Sequence, residues 1–198
     1  NNNCFGNAFE NECGCVGGNT GLLPDYCYGC TYSNADNYDP NATVNDGSCH
    51  CGTVEDIDGN TYQTVLIGEQ CWLKENLKVT HYRNGDEIPT GLSTQIYDEC
   101  GYCGEWAITT DGAYAVYDDN SSNVDIYGNL YNWHAVDDSR GVCPTGFHVP
   151  AVVEFTLLEN YLGGASVAGG KMKDNVNWNG TNESGFSALP AGKRNGHT

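Results

Sequence analysis

The side chains in this sequence best suited to chemistry are short oxygen donors set between two cysteines. They are Asp36, Asn37, Asp39, Asn41, Asn45 and Asp46, inside the interval from Cys30 to Cys49. Hard cations such as Ca²⁺ gather about six to eight oxygen ligands of this kind. The Asp39-Pro40 and Asp46-Gly47 turns bend the backbone so that carboxylates and carbonyls can converge. The expected unit is therefore a small disulfide-closed repeat with Ca²⁺ as its cofactor. Its bland alternative is an acidic linker whose Asn and Asp only close turns. The spacing is not that of an EF-hand, because no Glu stands at the last loop position and no flanking helices are predicted.

Sulfur is the second chemical resource. The chain has 11 cysteines, and Cys4, Cys13, Cys15, Cys27, Cys30, Cys49 and Cys51 crowd its first 51 residues. That density fits a disulfide framework in an oxidising compartment better than a set of cytosolic thiols. Cys30, Cys49, Cys100, Cys103, Cys71 and Cys143 are the disulfide candidates, with Cys30 expected to pair with Cys49. Cys100-Gly-Tyr-Cys103 has the spacing of a redox pair or a zinc half-site. No helix is predicted after it to activate a thiol, so a local disulfide that pins a loop is expected. The odd cysteine count predicts a free thiol, or a partner outside this sequence.

A catalytic reading would recruit His81, His134 or His148 with nearby carboxylates. No Gly-x-Ser-x-Gly, His-Glu-x-x-His or phosphate-cradling glycine loop accompanies them. A non-enzymatic protein is expected, with His148 bonding backbone to fix a bend. Charge narrows the partners: 26 acidic against 8 basic residues give a formal net charge of −18, which repels nucleic-acid phosphates. No apolar run approaches the ~20 residues that span a bilayer. Asn1 is not an initiator Met, so the start is expected to be processed or internal.

Positioning elements follow from the patterning. Residues 1–29 hold too little apolar area for a core, so cross-links must order that lead segment. Residues 30–52 form the repeat. From Thr53 a larger domain of residues 53–198 begins, with a hairpin around Asp58-Gly59-Asn60 and a further strand at Gln70–Leu73. Tyr62, Val65, Ile67, Trp72 and Leu77 are predicted to face inward. Ala113–Tyr117 alternates like a strand, and the aromatic run Tyr127–Val136 is either core or a sugar-stacking platform. Pro144 and Pro150 frame a rigid bend. It feeds an amphipathic helix over 151–162, with Val152, Phe155, Leu158, Tyr161 and Leu162 as its stripe and Gly163-Gly164 as its stop.

Two family resemblances rest on these motifs. Ala35, Asn37, Tyr38, Pro40, Ala42, Thr43, Asp46, Gly47, Ser48 and Cys49 resemble the short repeats of secreted bacterial surface proteins, and through them thrombospondin type 3 calcium repeats. Asp58-Gly-Asn-x-Tyr62, Ile67-Gly-x-Gln-Cys-Trp72, Glu75-Asn-Leu77, Tyr127-Gly-x-Leu-Tyr-Asn-Trp133, Cys143-Pro-Thr-Gly-x-His-Val-Pro150 and Ser184-Gly-Phe-Ser-Ala-Leu-Pro190 resemble the Fibrobacter succinogenes major paralogous domain family. The resemblance implies an α+β, loop-rich, C-type-lectin-like fold related to formylglycine-generating enzymes, in secreted or surface-anchored bacterial proteins. It also implies a domain that continues past Thr198 and supplies a further cysteine, with Cys143 or Cys71 otherwise lacking a partner. The helix start departs from the family, since Ala151-Val152-Val153 replaces a polar cap and offers an apolar contact face. The expected protein is an extracellular adhesive or ligand-binding module. Its partner is a surface glycan, another surface protein or its own copies; a structural subunit of a surface assembly or filament is the alternative.

Overall fold

The computed structural model describes Cys4 and residues 6–33, 35–93 and 104–194. The Cys100–Cys103 pair lies outside the described residues. Strands β1 (Phe9–Asn11) and β2 (Gly14–Val16) form an antiparallel hairpin tied by the Cys4–Cys15 and Cys13–Cys27 disulfides. Val16 is buried there, while Phe9, Leu22 and Leu23 stay exposed, so cross-links supply what apolar burial does not.

Strands β3 (Tyr28–Gly29) and β4 (Val44–Asn45) pair in parallel, and Cys30 is bonded to Cys49 across the repeat. This segment packs on its neighbour: Cys30, Ala35 and Cys49 are buried together with Leu66, whose N–H donates to the Cys49 carbonyl at 2.9 Å.

That neighbour is the antiparallel sheet β5 (Thr53–Glu55), β6 (Thr61–Ile67) and β7 (Gln70–Leu73), in the order β5-β6-β7. The β5–β6 turn is organised by Asp56, two residues ahead of the Asp58-Gly59-Asn60 signal. Its Oδ1 accepts from the N–H groups of Asp58 and Asn60, both at 2.9 Å, and its Oδ2 accepts from the Tyr62 hydroxyl at 2.6 Å. Strand β6 is buried on both faces because Val65 and Ile67 point to one layer and Leu66 to the repeat on the other.

The remaining elements are short: α1 (Glu105–Ile108), β8 (Tyr114–Val116), α2 (Val124–Tyr127), β9 (Asn129–Tyr131), α3 (Trp133–Val136), α4 (Val152–Tyr161) and α5 (Ala168–Met172). Strands β8 and β9 pair antiparallel. The protein is thus α+β and loop-rich, with a disulfide-rich N-terminal region. One core joins Val65, Ile67 and Trp72 to Leu158, Leu162 and Ala168; another joins Val79, Tyr82, Ile88, Ala135, Val142 and Cys143.

The bend before α4 is pinned by charge as well as by proline. Arg140 bonds Asp138 at 2.7 Å and Asp86 at 2.9 Å, and its guanidinium lies 3.9 Å from the centroid of the Tyr82 ring. Gly141 takes φ 72°, a left-handed backbone conformation that glycine adopts without strain.

Two expectations are corrected here, the wholly inward stripe of α4 and the backbone bond of His148. The α4 stripe is only partly inward: Leu158 and Leu162 are buried, but Val152 is 83% and Phe155 47% exposed, and Tyr161 is exposed too. The weak cap at Ala151 is compensated by Glu154, whose carboxylate accepts from the Ala151 N–H at 2.8 Å, the reciprocal half of a capping box. Cys71 is bonded to Cys51, and of the two cysteines expected to lack a partner it is Cys143 that is a buried free thiol among the described residues. His148 faces the Glu154 carboxylate at 2.8 Å instead of backbone, holding the bend to the first turn of α4.

Candidate binding groove

Strand β7, strand β9, the bend and the start of α4 enclose a groove of about 750 Å³. Trp72 and Leu73 come from β7, Leu130 and Tyr131 from β9, Phe147 from the bend and Phe155 from α4. The walls are aromatic and aliphatic because these elements each turn one apolar side inward, while no helix or strand among the described residues covers the space between them. Trp72 stacks with Phe155 at 5.4 Å and Phe186 at 5.8 Å between ring centroids, which fixes the floor.

Polar groups are few and deliberate. Gln70 Nε2 donates to the Glu154 carbonyl at 3.2 Å, linking β7 to α4. Asn129 donates through Nδ2 to the carbonyls of Lys78 and Val79 at 2.9 and 3.4 Å, which sets its amide orientation. Its Oδ1 is then a buried acceptor, and Trp72 Nε1 a buried donor, without a partner among the described residues. Both residues are only 7% exposed. Glu69 and Glu75 put negative charge on the rim.

The histidines do not gather. His148 reaches this groove, His134 lines a separate polar hollow with Glu87, Asp111, Asp137 and Asp138, and His81 lines a small cavity of about 180 Å³ with Cys143. His81 Nδ1 meets Asp58 Oδ1 at 2.6 Å. Partial burial opposes ionisation of Asp58, but bonds from the Thr80 N–H, the Thr80 hydroxyl and His81 outweigh it and hold its pKa below the usual range. Burial pushes the Cys143 thiol up, against a smaller opposing effect of Arg83, whereas a nucleophilic cysteine needs a thiolate. Exposed aromatic surface of the kind that stacks on sugars occurs at Trp133, 68% exposed on α3.

The predicted cation ligands are placed on successive turns. Asn37 Oδ1 accepts from the His50 N–H at 3.0 Å, Asp39 Oδ1 from the Asn41 N–H at 2.8 Å, Asn45 Oδ1 from the Gly47 N–H at 3.1 Å and Asp46 Oδ1 from the Ser48 N–H at 2.9 Å. Asn41 also turns its Nδ2 to Asp39 Oδ1 at 3.2 Å. Asp36 instead lies against Gly52. Among the described residues no three His, Cys, Asp or Glu side chains gather at one point. The oxygen chemistry fits Ca²⁺, while the carboxylates are offered around the loop and not as a closed cage.

Sequence reasoning missed the groove's polar pair, since nothing local marks Trp72 or Asn129 as lacking a partner. The only available signal was their membership of the Gln-Cys-Trp and Tyr-Gly-x-Leu-Tyr-Asn-Trp motifs. In comparison with known proteins, the family model described as Fibrobacter succinogenes major domain matches residues 65–198. The match starts inside β6 and not at Thr53, and the repeat before it is not included. No curated protein and no solved structure matches. No described helix is long and apolar enough to cross a membrane.

Proposed function

The chain belongs to the Fibrobacter succinogenes major domain family, and from that premise we propose a non-enzymatic, extracellular module that binds a partner through the groove between β7, β9 and α4. The groove itself carries this reading: aromatic side chains from β7, β9, the bend and α4 line it. The disulfides support an oxidising, extracellular setting. The C-type-lectin-like kinship belongs to the same proposal, supported by short elements joined by long loops.

Ca²⁺ is the cofactor of this reading, held by the repeat. Asp39 and Asp46 each commit Oδ1 to a turn and retain Oδ2, and Asp36 carries a further carboxylate. The alternative, a structural subunit of a surface assembly, is favoured by the outer side of α4, where Val152, Val153 and Leu157 are 83%, 63% and 56% exposed.

Beads coated with the protein test the groove reading on intact cells that produce it. Wild-type beads should adhere, and Phe155→Glu beads should adhere severalfold less while retaining the wild-type circular dichroism spectrum. Equal adhesion by both would remove the groove from the function. Loss of adhesion by Val152→Glu instead would favour the assembly reading.

A further inference from the structure

We infer that the groove receives an extended polypeptide strand of a partner protein, apolar at alternate positions and basic at its ends, which adds to the free edge of β7. This deepens the groove reading proposed above and rests on it. In the β6–β7 hairpin, Ile67 faces Gln70, Val65 faces Trp72, and the Lys74 N–H donates to the Gln63 carbonyl at 3.0 Å. Antiparallel pairs alternate, so Gln70, Trp72 and Lys74 bond inward to β6 and the backbone groups of Cys71 and Leu73 turn to the opposite edge. The sheet order ends at β7, and neither residue's N–H or carbonyl has a partner among the described residues. An unpaired edge beside an apolar groove is the geometry of strand addition.

The chemistry of the occupant follows from the outward backbone groups of Cys71 and Leu73, two residues that line the groove. A peptide backbone carries a donor and an acceptor in every residue to meet them, whereas an acyl chain carries neither. The aromatic lining accepts the side chains on one face of such a strand. The ends meet Glu69 and Glu75 on a protein of formal net charge −18, so basic flanks are attracted and acidic ones repelled. The same charge opposes a second copy of this chain as the occupant.

The probe is the synthetic peptide Lys-Val-Thr-Val-Thr-Val-Thr-Val-Lys, followed by nuclear magnetic resonance of the intact protein. At saturating peptide the amide exchange of Cys71 and Leu73 should slow at least tenfold, and the Trp72 indole proton should shift. Leu73→Pro removes an outward donor without touching the β6 bonds and should weaken binding at least tenfold. A peptide N-methylated at alternate residues tests the same bonds without altering the protein and should also fail. Binding that persists through both changes, an equally tight peptide with Glu at both ends, or no slowing at Cys71 and Leu73 would each overturn the strand proposal. If cell adhesion still depends on Phe155 while the peptide fails, the groove reading stands and its ligand is not a strand.

Discussion

Cys51 and Cys71 are bonded to each other, which ties the end of the Cys/Asp/Asn repeat to β7, the strand that floors the groove. Together with Leu66 packed on Cys30, Ala35 and Cys49, this makes the repeat a support for the groove and not a free spacer. A disulfide spanning 20 residues stabilises by about 3 kcal/mol in the chain-entropy account. The Cys51→Ser, Cys71→Ser double variant should therefore lose about that much in urea unfolding. It should also expose β7 amides to faster hydrogen exchange. Wild-type stability and exchange in the double variant would show that the cross-link supports nothing here.

Tyr62 is buried with its hydroxyl between the Asp56 carboxylate at 2.6 Å and the Lys78 N–H at 2.9 Å. Desolvation, reinforced by Asp56, raises its pKa. Tyr62→Phe keeps the ring but leaves the part-buried Lys78 N–H without its acceptor and takes one of two donors from Asp56 Oδ2, which keeps Asn60 Nδ2 at 2.9 Å, at a cost of about 1–3 kcal/mol. Chemical denaturation should read that loss with an unchanged m-value. A change within a few tenths of a kcal/mol would mean that water satisfies the site.

Helix α4 separates two roles along its length. Leu158→Ala empties a 1%-exposed position against Trp72 and Val65 and should cost about 2–5 kcal/mol. Val152→Ser, at 83% exposure, should stay within about 0.5 kcal/mol. Similar losses at both positions would contradict the observed facing of the helix.

Much of this was legible in the sequence. The hairpin turn, the inward set Tyr62, Val65, Ile67 and Trp72, and the double-glycine stop after α4 are local patterns, and local sterics write them. The disulfide of Cys71 was not, because β7 brings it beside Cys51 only once the sheet has paired. The 3.6-residue stripe of α4 did not show which part lies on the core, since a stripe gives a direction without saying how far the opposing layer extends. Charge partners of histidines were equally hidden: the Glu154 that caps α4 also holds His148, and neither bond follows from spacing alone. The edge of β7, unpaired among the described residues, and the buried pair Trp72 and Asn129 are long-range features that no window of residues contains.

Ca²⁺ binding at the repeat predicts a measurable heat on titration and slower proteolysis within residues 30–49. Asp46→Asn should keep the Ser48 turn, because the amide oxygen can still accept, while weakening binding by removing a charge. Chelation should then speed cleavage in the wild type more than in the variant. Identical digestion with and without chelator, and no heat of binding, would leave the repeat held by its turns and its disulfide alone.

Acid should release the clamp on the bend before the clamp's geometry is otherwise disturbed. The Arg140 guanidinium and N–H bonds hold the Asp138 pKa down at about 2, and Arg140 also lowers that of Asp86. An unfolded aspartate titrates near ~3.9. Because the folded value is the lower one, the contribution is complete above ~4 and is lost as the pH falls through the folded value. Arg140→Gln should raise the Asp138 carboxyl midpoint, read by carbon-13 chemical shifts, toward the ordinary value. The stability advantage of wild type over this variant should be largest near neutral pH, shrink below pH ~4 and vanish once Asp138 is protonated. An Asp138 midpoint that does not move in Arg140→Gln would show that the bend is held by Pro144 and Pro150 without help from charge.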